Sequence, residues 1–127
     1  MVFEAEEVAI QLIEALRPLV PRIKARDRAL ADQLTRAASS VALNIGEGNY
    51  SDPGNRRARF FTAAGSTNEV RLALRIAVSW GVLAPAEADT AQALIKRVLS
   101  MLWKLTHWAR RAWEPQPAAP RRPAPPP

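Results

Sequence analysis

The sequence predicts an all-α protein, an up-down antiparallel four-helix bundle with a disordered Pro-rich C-terminal tail. Three observations carry this reading. Apolar residues recur at three- and four-residue steps in four separate segments, the period of a single helix face. Helix start and stop residues bound those segments. No segment alternates apolar and polar residues in the manner of a half-buried strand. A chain of 127 residues suits one domain with its own core. The bundle is placed at residues 1–113 and the tail at 114–127.

The first helix is expected from about Glu4 to Arg17, with Ala5, Val8, Leu12, Ala15 and Leu19 along its inner face. Its acids fall in the early turns, where the helix dipole favours them. Pro18 and Pro21 end or kink it. Asp27 is the N-cap of the second helix, whose stripe is Leu30, Leu34, Ala37, Val41 and Ile45. Gly46 and Gly48 are where that helix should fray or turn. Ser51-Asp52-Pro53 starts the third helix, with Asp52 as cap and Pro53 in the first turn. It should reach about Trp80 and stop at Gly81. Val70 to Val78 is apolar around most of its circumference, which predicts burial on a second side, against another subunit. Pro85 opens the fourth helix. Ala91, Ile95, Val98, Leu102, Leu105, Ala109 and Ala112 form its inner stripe, and it ends near Trp113. The remainder, "PQPAAPRRPAPPP", suits an extended, solvated tail.

The chain contains no cysteine and one histidine. Disulfides, iron–sulfur clusters and thiol catalysis are therefore excluded. The start is acidic, with no positively charged leader, and no apolar run approaches the ~20 residues of a membrane span. A cytoplasmic protein with no membrane partner is expected. The formal charge is +6. Residues 1–16 hold four acids and no base, so the positive charge lies in the rest of the chain. That asymmetry suits a polyanionic partner, or a basic face meeting the acidic end of a neighbouring copy.

The stretch Gln33 to Gly48, "QLTRAASSVALNIGEG", resembles the signature Q-L-R-R-A-x-x-S-I-x-x-N-I-A-E-G of the bacterial "four helix bundle protein" family. These are also called intervening-sequence proteins, since some are encoded in insertions within large-subunit ribosomal RNA genes. Gln33, Leu34, Arg36, Ala37, Ser40, Asn44, Ile45, Glu47 and Gly48 match it, with Val41 for Ile and Gly46 for Ala. A second family stretch, A-x-G-S-x-x-E-L, is similar to "AAGSTNEV" at Ala63, Gly65, Ser66 and Glu69. Thr35 stands where a basic residue is frequent, and Arg59 where an aromatic is common. The resemblance covers about residues 5 to 112. It implies a ring-like homopentamer of four-helix bundles. A related branch, the accessory proteins of diversity-generating retroelements, binds nucleic acid.

Two sets of residues are candidates for a role. Arg97, Lys104 and Arg111 are spaced by sevens on the fourth helix, with His107 one turn from the last two. A basic stripe near aromatics suits a nucleic-acid backbone, RNA or DNA. The alternative is an ordinary solvated face. Trp103, Trp108 and Trp113, spaced by fives, are spread around the helix and are assigned to gaps in the core or an interface. The second set is a polar network of Arg36, Ser40, Asn44, Glu47, Ser66 and Glu69. Arg36 and Glu47 share a face three turns apart, and Gly65-Ser66 lets another backbone approach. A half-buried carboxylate there would need a partner.

The Gly-Glu-Gly of residues 46–48 has no lysine, and Glu47 and Asp52 would repel a phosphate, so a phosphate cradle is disfavoured. A di-iron bundle site needs two Glu-x-x-His pairs, which one histidine cannot supply. No catalytic residue, metal site or cofactor is assigned. The expected function is a non-enzymatic oligomeric module presenting basic surfaces to nucleic acid or a protein. Two rivals stand beside it: a purely structural or adaptor oligomer, and an enzyme using Glu47 or Glu69 between subunits.

Overall fold

The computed structural model describes the backbone of residues 2–113 and 126, and side-chain surroundings for residues 4–107 and 126. The expected tail, apart from Pro126, lies outside the described residues. Among them the chain is helical throughout, with no strand. Helix α1 spans Val2–Leu16, α2 Val20–Arg26, α3 Arg28–Asn49, α4 Pro53–Ser79 and α5 Asp89–Trp113. The long helices pack in a ring: α1 on α3, α3 on α4, α4 on α5, and α5 back on α1. That ring is an up-down four-helix bundle. The short α2 lies against α3.

Of the two outcomes expected at Pro18 and Pro21, the first helix ends, at Leu16, and a short helix that the sequence did not suggest, α2, follows. Residues 17–19 form a turn and Pro21 sits in the first turn of α2, a position where its missing N–H costs nothing. Asp27 caps α3 as expected, its carboxylate accepting from the Leu30 amide at 3.0 Å. The expected break at Gly46 and Gly48 does not occur. Helix α3 runs through both to Asn49. The glycines serve packing there: a Cβ on Gly48 would lie 2.5 Å from the Phe60 ring of α4. Arg56 then closes the end of α3, its guanidinium donating to the Gly48 carbonyl at 3.2 Å. A cation on the last carbonyls also complements the helix dipole.

Asp52 caps α4, accepting from the Asn55 amide at 3.1 Å and the Asn55 side chain at 2.8 Å. Those two bonds, the amide first, hold its carboxyl below the ordinary aspartate range. A depressed folded-state pKa stabilises above the unfolded value and is lost as pH falls through the folded one. Asp52→Ala should therefore lower the melting temperature at neutral pH, and the gap to the parent should close in acid. A gap that persisted well below the carboxylate range would contradict this. At the far end, Gly81 takes φ 75°. The Val82 amide reaches back to the Ala77 carbonyl and the Gly81 amide to Val78, both at 2.9 Å, a Schellman stop. Pro85–Ala88 is a single 3-10 turn rather than the first turn of α5.

The core has two halves. The lower one gathers Leu12, Leu16, Ile23, Leu34, Leu74 and Ile95; the upper one gathers Val8, Val41, Ile45, Phe60, Val98 and Leu102. Leu94 packs against both. Full burial of each such side chain contributes about 1.5–3 kcal/mol. Two buried hydroxyls, Thr67 and Thr106, are satisfied locally by the carbonyls of Ala63 and Leu102. No described helix is long and apolar enough to cross a membrane.

Candidate nucleic-acid-binding face and polar seam

Helix α5 turns its apolar stripe inward and leaves a cationic face outside. Ala91, Ile95, Val98 and Leu102 are buried, whereas Lys96, Arg97, Ser100, Trp103, Lys104 and His107 are exposed. At about 100° per residue those six fall within about 120° of the helix circumference. The sequence from Thr90 to His107 contains no acid. Across the groove from α1, Glu4 lies 3.8 Å from Arg97, with both side chains about half exposed. That pair is worth little energetically, but it offsets part of Arg97's charge. The side chain of Arg111 lies outside the described residues, as do those of Trp108, Ala109, Ala112 and Trp113.

Trp103 departs from the core half of the sequence-based assignment to core or interface. It fills neither core nor groove but is 61 % exposed. His107 stacks on it, with ring centroids 3.8 Å apart and planes at 27°. The His107 Nδ1 lies 2.7 Å from the Trp103 carbonyl. A carbonyl only accepts, so Nδ1 carries a proton and the imidazole is pinned to its own helix.

The second set of residues divides. Ser40 and Ser66 join α3 to α4 through their hydroxyls at 2.8 Å. Asn44 donates to the Ser40 carbonyl at 2.9 Å and hydroxyl at 3.0 Å. These three make a polar seam between helices. Glu47 stands outside it. It is 54 % exposed and pairs with Arg59 of α4 at 2.9 Å rather than with Arg36. Arg36 lines the same open groove, with Thr35, Ser39 and Leu43. The expectation of a half-buried Glu47 held by Arg36 fails because eleven residues of continuous helix set the two positions about 16 Å apart, out of ion-pair reach, and Glu47 lies exposed on the outer surface. Glu69 is also exposed, at a separate cleft with Leu30, Gln33, Leu72 and Ile76.

Sequence reasoning missed the groups that close the top of α3. Besides Arg56, Asn49 donates to the Glu6 carboxylate of α1. Arg57 lies over the Phe61 ring at 5.2 Å, a cation–π contact. The available signal was the run of arginines directly after a capped helix start. The two glycines of residues 46–48 belong to the last turns of α3, the negative end of the helix dipole, which repels a phosphate. Among the described residues, no group of three acids or histidines could hold a metal ion.

The α4 surface opposite its core carries several exposed apolar side chains, with Glu69 on the same arc. Phe61, Leu72, Ile76 and Trp80 are exposed, Trp80 at 74 %. With Gly65 they fall within about 100° of the helix circumference, over a length of about 28 Å. A Cβ on Gly65 would meet nothing within 4 Å. The expected apolar second side of this helix is therefore present and uncovered in the single chain.

A model of the family described as 23S rRNA-intervening sequence protein matches residues 3–104. No curated protein and no solved structure matches the chain.

Proposed function

Because the chain belongs to the 23S rRNA-intervening sequence protein family, we propose that it is a non-enzymatic, oligomeric bundle that presents its α5 face to nucleic acid. The observation that carries the proposal is the acid-free run from Thr90 to His107, with Lys96, Arg97 and Lys104 exposed on one side. The family's tie to ribosomal RNA sequences favours RNA among polyanions, and the cytoplasm as its place. Clustered cations without intervening acids release counterions when they meet a phosphate backbone. The two candidate acids lie apart in the single chain. Glu47 is engaged by Arg59, and Glu69 lies at a different cleft. Self-association is the second part of the proposal. It is supported by the uncovered α4 stripe and by the family resemblance to pentameric bundles. A patch of this kind, on a chain this small, suits a subunit contact.

Anisotropy of a labelled structured RNA, titrated across a salt series, tests the first part. Binding should weaken steeply with salt. The Arg97→Ala/Lys104→Ala/Arg111→Ala variant should bind more weakly at every salt concentration, with a log–log slope shallower by about 2–3. Absence of binding at low salt, or a triple variant with the parent's slope, would remove the α5 face from the account.

A further inference from the structure

We propose that the stacked Trp103–His107 pair is a seat for one unpaired base, so that the ligand of the α5 face is a single-stranded stretch rather than a duplex. This rests on the nucleic-acid reading above and narrows its ligand.

Four observations converge. An indole 61 % exposed to water on an otherwise polar helix face offers a π-surface on which a base can stack. The ring is preorganised. His107 stacks on it at 3.8 Å and is itself pinned through Nδ1 to the Trp103 carbonyl at 2.7 Å, so little motion remains to be frozen on binding. One turn back stand Ser100, exposed and too small to cover an indole, and Leu99, which packs against the core. Finally, the residues around the pair on the same face are Lys96, Arg97 and Lys104, with Glu4 of α1 against Arg97 as the acid that reaches them.

An aromatic platform flanked by cations is the arrangement that holds a single strand: the rings stack a base while the cations track its phosphates. In a duplex the bases are already stacked on each other and the platform has nothing to take. A second copy of this face is a poor occupant, since cations would meet cations. An acidic peptide would satisfy the lysines and leave the indole unused.

The test uses the full chain and three labelled probes: an oligouridine, an abasic ribose-phosphate strand of equal length, and an RNA hairpin whose stem is fully paired and whose loop is a base-free linker. The parent should bind oligouridine more tightly than the abasic strand. Trp103→Ala should weaken oligouridine binding about tenfold and leave the abasic strand and the hairpin unchanged. Trp103→Phe should restore most of the loss. The side chain is exposed, so the thermal melt should stay at the parent's value. Equal weakening on all three probes, or none on oligouridine, overturns the base seat. In the second case, retained salt-dependent binding of the hairpin and the abasic strand leaves the cationic face standing. If the parent binds none of the probes at low salt, the nucleic-acid reading and the base seat fall together.

Discussion

Phe60→Ala should destabilise the bundle by about 3–5 kcal/mol, and Gly48→Ala should change sign in its presence. Among the described residues Phe60 is the largest fully buried side chain, and it sits at the upper end of the core, between α3 and the opening turns of α4. Its ring packs onto the bare backbone of Gly48, where an added Cβ would stand 2.5 Å from one ring carbon and 2.9 Å from the next. An aromatic ring cannot fold away like the end of a lysine. The helices must separate or the ring must leave its rotamer, at a cost of about 1–3 kcal/mol. Against that, alanine is better than glycine inside a helix by about 0.5–1 kcal/mol. The strain wins, and Gly48→Ala is a net loss. Without the ring, the strain vanishes and the helical preference remains, so Gly48→Ala should stabilise the Phe60→Ala protein. Gly46→Ala serves as the internal reference. Its Cβ would meet nothing closer than 3.8 Å, on Glu6, and it should stabilise both backgrounds. Urea unfolding of the four proteins measures the cycle. A stabilising Gly48→Ala in the parent would show that the ring does not bear on this glycine.

This pair also explains the main misreading of the sequence. Two glycines so close together argue for a corner when only local conformation is considered. The actual reason for Gly48 is a contact with Phe60, and nothing within α3 announces which distant side chain needs the space. The capped ends were legible because their chemistry is local. Asp27, Asp52 with Pro53, and Gly81 act on backbone groups within a few residues, and the structure puts each at the helix end where it was expected. The inner stripes were legible for the same reason, since burial follows the helix period: Leu30, Leu34, Ala37, Val41 and Ile45 are all buried. The polar seam was half legible. Ser40 and Asn44 share a helix face, and Ser66 was placed opposite them by the second family stretch. Arg36 and Glu47 share a face but stand three turns apart, and the partner within reach, Arg59, lies on α4, which spacing along α3 does not reveal. On α5 the spacing gave the cations, and the same 100° per residue sets Trp103 among them, away from Ile95, Val98 and Leu102; taking the three tryptophans as one set hid it.

Ile76→Glu should reduce the proposed oligomer to single chains at concentrations where the parent is assembled. Ile76 lies between Leu72 and Trp80 on the outer α4 stripe, and all three are exposed in the isolated chain. Burying a glutamate at the centre of an interface without a partner costs about 3–5 kcal/mol, enough to weaken each contact about a hundredfold or more. Inside the single chain the substitution is cheaper, because Ile76 is 42 % exposed, at the rim of the cleft it shares with Leu30 and Ala73, where a carboxylate can still reach water. Stability and assembly are therefore separable. The thermal melt of a dilute, monomeric sample should hardly move, while sedimentation velocity should show the mass fall to that of one subunit. Arg75, the neighbouring residue, gives the comparison. Arg75→Glu changes charge by more, but its position lies about 100° away around the helix, so it should leave assembly largely intact. A parent that sediments as a single chain at every concentration would defeat the α4 interface, as would an Ile76→Glu protein that keeps the parent's mass. Equal disruption by both glutamates would point instead to a long-range charge effect, since a packed stripe distinguishes a residue on its crest from one on its flank.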